Sequence, residues 1–553
     1  MSATFLTQIP VVPRSTRLVS TLSLLGLGAA LALVMFATMR TPLKDDIAWL
    51  LYVARKWLAG KQLYVDLVEI NPPLIIWMSA IPAMAGEWSG LAARLVAMPF
   101  FAAISLACAW WTARLLRGMA PVFANPVPVF AVIGIVLLLI AGPELGQREH
   151  LLAAFSLPYL VVVARALQAL PVGGRAALMS GVLAGLGVAL NPRYALAFAA
   201  VEVLAMARGL RPWRPQAIGA GGLLVLYAAL TVWLYPAYLN RAIPLALALY
   251  GATDVSFMDL LRESVPMLLG VAVLAILAVR AALVRGEQRA LLGVLALYAA
   301  GAALVCFMDG KDWYYHRLPA IIAVALAIAL WLVTEAPRLW RSGWQMGWRL
   351  ALPLGLAGLV GLVFTAAAAQ RITPRLELAF DPEVSTEARL QRILKKEKAN
   401  TYIAFSEWIA LGFPVVNDAE VTWASRFDSM WALKGELWRA QSDPESVRNW
   451  PVRQWVARDF VAGCPDVVVA DARVGGPNYI GILSASDAAF ARAWEGYRQI
   501  AAFDGLIVYR RQASGCGEVP PAGPDVAQPD PTQINMPAAP AGPILSRVSP
   551  GSR

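Results

Sequence analysis

Two adjacent aspartates, Asp45 and Asp46, follow the first long apolar run of the sequence in the segment PLKDDIAW. Carboxylates at this place can take a proton from a hydroxyl group, or they can bind a divalent metal ion together with histidine. They can equally stabilise the N-terminus of the helix that begins with them. The pair alone does not separate catalysis from helix capping, so the surrounding elements have to be considered.

The composition is that of a membrane protein. Of the 553 residues, 59% are hydrophobic and only 15% are charged, and the mean hydropathy is +0.59. A soluble protein cannot bury that much apolar surface, so we expect a chain that crosses the membrane many times. The net charge of +11 lies in short basic clusters between apolar runs. This distribution indicates orientation in the membrane and not nucleic-acid binding.

Nine apolar runs are long enough to cross a bilayer. They lie near 18–39, 91–113, 127–143, 150–167, 217–236, 264–283, 288–307, 317–334 and 349–368. A further apolar region is broken by NPR at 191–193 and is basic at both ends, which predicts a hairpin of two short helices. The prediction is therefore about eleven crossings, with the N-terminal segment 1–17 in the cytoplasm. The short segment 72–84 is predicted to lie at the membrane interface.

In this orientation the polar segments between the runs meet on the outer face. They are LKDDIAW, YVDLVEINPP, GPELGQREH, NPRY, YPAYLNRAIP and DGKDWYYHRLP. Both histidines of the chain, His150 and His316, belong to them and can join the carboxylates around a divalent ion. In a chain with so little charge, this convergence is the strongest indication of a functional site.

The first outer segment resembles a known family. The residues that carry the resemblance follow the aspartates in order: Tyr52, Ala54, Gly60, Tyr64, Asp66 and NPPL at 71–74. This order resembles the first external loop of membrane-embedded GT-C glycosyltransferases, in particular the branch of protein O-mannosyltransferases and the lipid A aminoarabinose transferase. Asparagine stands in INPPL where that family usually has lysine or histidine. GPELGQREHLL, GVLAGLGVALNPRYALA and GKDWYYHRLPA follow in the family's order, so the resemblance covers roughly residues 15–370.

The resemblance implies a chemistry. The donor is a sugar on a polyprenyl phosphate; a carboxylate takes a proton from the acceptor hydroxyl, and fixed cations or a divalent metal ion hold the phosphate charge. The implied catalytic residues are Asp45, Asp46 and Glu144, with Glu149 as the alternative to Glu144. The implied substrate-binding residues are Lys311, Arg193, Arg148, Tyr64, Asp66, Tyr315 and His316. The candidate metal ligands are Asp46, Glu144 and His150.

The C-terminal region has a different pattern. NTYIAFS and DVVVADA are typical of buried strands, SASDAAFARAWEGYRQI (484–500) of a helix, and LIVYRRQ of an edge strand. These elements predict a small α/β domain at 371–517, outside the membrane, after a GT-C-like transmembrane domain at 18–370. Cys464 and Cys516 can form a disulfide if this domain is exported. The Pro/Ala-rich tail, 518–553, is predicted to be disordered.

The resulting hypothesis is a glycosyltransferase of the bacterial inner membrane. It moves a sugar from a polyprenyl-phosphate donor, with inversion, to a periplasmic envelope acceptor such as lipopolysaccharide, a polysaccharide or a protein. A transporter or flippase for lipid-linked glycans is an alternative, although such proteins carry charges within their spans and often repeated halves. A polymerase of lipid-linked glycans is a further alternative.

Overall fold

The computed structural model describes residues 14–342, 348–443, 445–473, 475–512 and 516. Most of the predicted cytoplasmic segment 1–17 and all of the predicted tail 518–553 lie outside these residues. Within them the chain forms a polytopic helical membrane domain followed by a small α/β domain, as the sequence predicts.

The membrane domain consists of helices in chain order. They are α1 (Arg14–Arg40), α2 (Asp45–Leu58), α3 (Pro73–Ser89), α4 (Ala93–Leu116), α5 (Pro126–Ala141), α6 (Arg148–Leu167), α7 (Gly174–Leu190), α8 (Ala195–Ala207), α9 (Pro215–Leu234), α10 (Ile243–Leu249), α11 (Phe257–Leu283), α12 (Arg289–Asp309), α13 (Leu318–Ser342) and α14 (Trp348–Phe380). Proline and side-chain caps begin several of them; Asn125, for example, accepts a hydrogen bond from the Val127 amide before α5.

Among the described residues, nine helical stretches are long and apolar enough to cross a membrane. They coincide with the nine apolar runs of the sequence and belong to α1, α4, α5, α6, α9, α11, α12, α13 and α14. The predicted hairpin is present as α7 and α8, which have 17 and 13 residues and meet at a turn that begins with Pro192. Because both are short for a span, the count of eleven crossings stays a prediction.

Two helices, α2 and α3, lie between the first two long helices and pack against each other. The segment predicted to lie at the interface forms most of α3, which begins at Pro73 and ends before Gly90 in a left-handed conformation. The glycine ends the helix because a left-handed residue carries no steric penalty without a Cβ atom. Helices α2 and α3 therefore form the loop that carries the aspartate pair.

The C-terminal domain follows α14, which continues past the predicted boundary at 371. Its helices are α15 (Thr386–Lys396), α16 (Val415–Ala419), α17 (Trp431–Ser442), α18 (Val452–Gly463), α19 (Tyr479–Ser486) and α20 (Ala488–Trp494). Its strands are β1 (Thr401–Phe405), β2 (Thr422–Trp423), β3 (Val467–Asp471), β4 (Tyr497–Phe503) and β5 (Leu506–Arg511). The sheet has the order β2-β1-β3-β5-β4; β1 pairs in parallel with β2 and β3, and β5 is antiparallel to its neighbours.

Two predictions for this domain were wrong in detail. The segment 484–500 is not one helix. Helix α19 ends before Asp487, and Asp487 caps α20 by accepting a hydrogen bond from the Phe490 amide. Residues 497–500 belong to strand β4. LIVYRRQ is not an edge strand, because β5 lies between β3 and β4. The tight turn at Asp504 and Gly505, both with positive φ, pairs the two strands and moves the edge to β4.

A disulfide stabilises the α/β domain internally, and hydrogen bonds connect it to the membrane domain. Cys464 and Cys516, for which the sequence left bonding open, form a disulfide with a Cα–Cα distance of 5.5 Å. Asn417 donates to the backbone oxygen of Ala48 in α2 over 2.7 Å, and the Trp423 amide donates to the Tyr52 hydroxyl over 3.3 Å. The domain is therefore docked on the loop helix that begins with the aspartate pair.

Candidate active site

All six polar segments singled out in the sequence contribute to one cavity of about 1110 Å³. It lies where α1, α5, α12 and α14 end and where α2, α6 and α13 begin. The α7–α8 turn, the segment after α9 and the C-terminal domain complete the wall. Eight of the predicted site residues line it: Asp45, Asp46, Glu144, Arg148, Arg193, Lys311, Tyr315 and His316.

The structure separates the two aspartates. Asp45 Oδ1 accepts from the Asp46 backbone amide over 2.9 Å and lies 3.0 Å from Lys44 Nζ. Asp46 Oδ2 instead accepts from Gln147 Nε2, in the α5–α6 connection, over 3.0 Å. Asp45 thus makes local contacts at the start of α2, whereas the Asp46 carboxylate is aimed at a distant segment of the chain.

Gln147 joins Asp46 to Glu144. Its Nε2 lies 3.4 Å from Glu144 Oε2, and Lys44 Nζ lies 4.0 Å from Glu144 Oε1. Burial, and then the neighbouring Asp45 charge, raise the pKa of Asp46 to about 7, although Lys44 and Gln147 act in the opposite direction. Asp46 can therefore exchange a proton near neutral pH.

Arg148 stands at the first position of α6, directly after Gln147. Its guanidinium lines the cavity and lies 3.4 Å from Glu149 Oε1, the one partner that the described residues provide. The positive end of a helix dipole and a guanidinium both favour an anion. Arg148 is therefore a cation of the cavity wall that is available to a bound phosphate.

Lys311 is fully engaged within the protein. Its ammonium donates to the Tyr250 carbonyl oxygen over 2.9 Å and to Thr253 Oγ1 over 2.5 Å, and it forms an ion pair with Asp254. These acceptors use the three N–H donors of a lysine. Burial lowers the pKa of Lys311. Lys311 therefore holds the segment 250–254 in position. Its ammonium group has no N–H left to donate to a phosphate.

Asp309, which the sequence analysis did not select, organises two predicted residues. Its Oδ2 lies 2.5 Å from His316 Nδ1, and its Oδ1 forms an ion pair with Arg193. The His316 backbone oxygen accepts from the Tyr194 hydroxyl over 2.7 Å. His316 Nε2 is buried and has no hydrogen-bond partner among the described residues. It is thus a ring nitrogen of the cavity wall that is left for a ligand.

Three predicted residues are not part of the cavity wall. Tyr64 is buried and donates to the Asn71 carbonyl oxygen over 2.8 Å, which supports the INPPL segment from behind. Asp66 accepts from the Gln62 amide at an exposed turn. The His150 ring nitrogens lie 3.2 Å from the Leu137 oxygen and 3.3 Å from the Gly146 nitrogen. Because backbone groups use both nitrogens, His150 has none for a metal ion.

The predicted metal ligands are therefore not assembled. Within the ranges that the structure describes, no group of three His, Cys, Asp or Glu side chains is arranged to hold a metal ion. Two of the predicted ligands, Asp46 and Glu144, do approach each other, but Gln147 lies between them and Lys44 lies beside them. The residues present do not fit the divalent ion that the sequence suggested.

Two further carboxylates of the cavity wall, Glu69 and Asp428, were not predicted from the sequence. Glu69 accepts from Trp49 Nε1 over 2.5 Å and from the Asn71 amide over 2.6 Å, and burial raises its pKa. Asp428, from the C-terminal domain, accepts from the Ser429 amide over 2.7 Å and from Trp431 Nε1 over 2.8 Å. Burial, followed by the charges of Glu69 and Asp46, raises the pKa of Asp428 to about 8. Glu69 lies in YVDLVEINPP, one of the six polar segments, but was not selected there; Asp428 lies outside those segments, and only the fold brings it to the cavity.

Comparisons with known proteins give little beyond this geometry. No family model matches the chain, and no curated protein sequence matches it. One solved structure with partial similarity is the oligosaccharyltransferase of Archaeoglobus fulgidus in complex with zinc and sulfate (12% identity, 88% of this chain and 73% of that chain, TM-score 0.38). Another is an arabinofuranosyltransferase from mycobacteria (14% identity, 89% of this chain and 40% of that chain, TM-score 0.37). Both TM-scores lie below 0.5, which is too low to support a statement about fold or function.

Proposed function

We propose that this protein is a membrane glycosyltransferase of the GT-C type that transfers a sugar from a polyprenyl-phosphate donor to a hydroxyl group of an envelope acceptor. One observation carries the proposal: a carboxylate able to take a proton near neutral pH, Asp46, and an available guanidinium, Arg148, line the same cavity at the ends of the membrane helices. The motif order of the first loop supports it, since INPPL and the aspartate pair border this cavity.

Asp46 acts as the general base. It takes the proton of the acceptor hydroxyl while the acceptor oxygen bonds to the anomeric carbon of the donor. The bond between that carbon and the phosphate oxygen breaks on the opposite face, and its electrons leave with the polyprenyl phosphate. Displacement on the opposite face inverts the configuration of the anomeric carbon. Because Gln147 holds one oxygen of the Asp46 carboxylate, the side chain is oriented before the acceptor binds.

Arg148 stabilises the leaving group. The departing phosphate gains a negative charge, and a guanidinium fixed at the start of α6 meets that charge without reorganisation. His316 Nε2 is a second polar group available to the phosphate, and Asp309 holds its ring in place. Arg193, which is paired with Asp309, adds positive charge to the same wall. Lys311 does not bind the phosphate in this proposal; its hydrogen bonds hold the segment 250–254 in position.

The position of the cavity supports a lipid-linked donor. A polyprenyl chain needs an apolar environment, and its phosphate needs a polar one. The two environments adjoin at the ends of membrane helices. Basic clusters in the sequence lie near the other ends of these helices, which supports a cavity on the periplasmic side of a bacterial inner membrane. The Cys464–Cys516 disulfide agrees with export, because disulfides persist in oxidising compartments.

The test compares envelopes of strains that differ in this gene alone. Lipids, polysaccharide and exported proteins from a wild-type strain, a deletion strain, and deletion strains carrying Asp46→Asn or Asp66→Asn are analysed by mass spectrometry. We expect one sugar mass to disappear from one envelope component in the deletion and Asp46→Asn strains and to remain with Asp66→Asn. Asp66 is the matched control because it lies in the same loop but outside the cavity wall. Full restoration by Asp46→Asn at normal expression would falsify the proposal.

A further inference from the structure

We propose that the ammonium group of Lys44 takes the place of a divalent metal ion in this cavity. The carboxylates of Asp45, Asp46 and Glu144 then have a resident cation, and the site works without an added one. The catalytic part of this inference rests on the proposed transfer reaction, whereas the binding experiment below does not.

The position of the ammonium group carries the inference. Lys44 Nζ lies 3.0 Å from Asp45 Oδ1 and 4.0 Å from Glu144 Oε1, so it stands between the start of α2 and the end of α5. Glu144 is buried and Lys44 is partly buried, so water screens this attraction only in part. A divalent ion that bound here would have to displace the ammonium group or remain beside it against like-charge repulsion.

The Lys44 backbone is held in place from outside the cluster. Arg375, near the end of α14, donates to the Pro42 carbonyl oxygen over 2.6 Å and lies 3.2 Å from Thr41 Oγ1. These contacts fix the short connection between α1 and α2 immediately before Lys44. The ammonium group is therefore delivered to the carboxylates by a tethered segment and not by a free surface side chain.

Gln147 contacts two of these carboxylates from a second direction. Its Nε2 directs N–H groups at Asp46 Oδ2 and at Glu144 Oε2, at 3.0 Å and 3.4 Å. An amide nitrogen has no lone pair for a metal, and its N–H groups use carboxylate lone pairs that a metal ion would need. The cluster is thus satisfied by donors from two directions, an ammonium group and an amide group.

The experiment measures Mn²⁺ binding to the purified full-length protein in detergent by electron paramagnetic resonance. Wild type is compared with Lys44→Met, Lys44→Gln, Lys44→Arg and the double variant Lys44→Met/Glu144→Gln. We expect wild type and Lys44→Arg to show no saturable site that depends on Asp46, which Asp46→Asn tests. Lys44→Met and Lys44→Gln remove the competing charge, so we expect each of them to gain a saturable Mn²⁺ site that wild type lacks.

The double variant and a second lysine provide the controls. Glu144→Gln in the Lys44→Met background removes one ligand, so the gained affinity should be lost. Lys434→Met removes another cavity lysine, which is paired with Glu407 of the C-terminal domain, and should leave Mn²⁺ binding at the wild-type level. This comparison separates the position of Lys44 from a general loss of positive charge.

Two Mn²⁺-binding results would overturn the proposal. A single Mn²⁺ bound by wild type and lost in Asp46→Asn would show that the cavity is a metal site. Neutral Lys44 variants that bind Mn²⁺ no better than wild type would show that Lys44 does not hold the place of an ion. If neither neutral variant folds, the wild-type and Asp46→Asn titrations decide by themselves. If no sugar transfer is found while Mn²⁺ binds as expected, the proposed function fails and this inference stands.

Discussion

Gln147 Nε2 donates to Asp46 Oδ2 over 3.0 Å and so connects the first residues of α2 with the residue before α6. The same short segment of chain thereby orients the carboxylate and, one residue later, begins the helix whose first residue is Arg148. A base and an anion-binding group are set relative to each other by adjacent residues.

Replacing the two aspartates should have unequal effects. Asp46→Asn removes the base and should lower the rate of sugar transfer by about a hundredfold to ten-thousandfold. Asp45→Asn keeps the base and should lower the rate less than about tenfold, since Asp45 makes local contacts only. Initial rates with a polyprenyl-phosphate sugar, compared at matched protein levels, measure both. Equal losses in the two variants would contradict the assignment of Asp46.

The rate should depend on pH through Asp46. Because burial and Asp45 raise the pKa of this carboxyl to about 7, the base is protonated and inactive below that pH, and the rate should rise to a plateau above it. The charged and polar groups around it are Lys44, Asp45, Glu144, Gln147, Arg148, Tyr250, Tyr315 and Asp428. The initial rate measured across the pH range on both sides of this value is the test.

Variants of the neighbours should move the pH profile in opposite directions. Lys44 lowers the pKa of Asp46, so Lys44→Met should shift the midpoint to higher pH. Asp45 raises the same pKa, so Asp45→Asn should shift the midpoint to lower pH. Shifts in the same direction, or a midpoint that neither change moves, would show that another group limits the rate.

Arg148 should be needed for the leaving group. Arg148→Met removes the fixed positive charge and should lower the rate of transfer by about a hundredfold to a thousandfold. Arg148→Lys keeps the charge but not the planar donor pair and should recover part of the rate. Steady-state kinetics with the lipid-linked donor distinguish the two. A wild-type rate in Arg148→Met would assign the phosphate to another cation of the wall.

Lys311 should matter for stability more than for binding of the donor. Lys311→Met removes its bonds to the Tyr250 oxygen and to Thr253, and should lower the free energy of unfolding by about 1–3 kcal/mol. Thermal unfolding of the purified protein in detergent measures this loss. Lys396→Met, an exposed lysine on α15, is the matched control and should leave the unfolding midpoint unchanged. If Lys311→Met loses the transfer activity but keeps the wild-type unfolding midpoint, Lys311 binds the phosphate of the donor.

Much of the molecule could be predicted because it depends on local pattern. All nine long apolar runs form helices, as do the two halves of the 191–193 hairpin, because length and composition decide which segments can cross a bilayer. Short runs of β-branched and aromatic residues predict strands β1 and β3, but residues 497–500, the first part of β4, are predicted as helix. The side chains of 497–500 allow both structures, and pairing with β5 decides between them.

The sequence by itself determined the class of the protein, its apolar helices and the set of polar segments that had to meet, because hydropathy and charge act residue by residue. Only the tertiary structure decided which side chains contact one another. It assigned Gln147 to Asp46, Asp309 to His316, and the Lys311 ammonium to the 250–254 segment, and it excluded His150 from the cavity wall. Each of these contacts joins chain segments whose separation or orientation no local pattern records, so it exists only once the helices have packed.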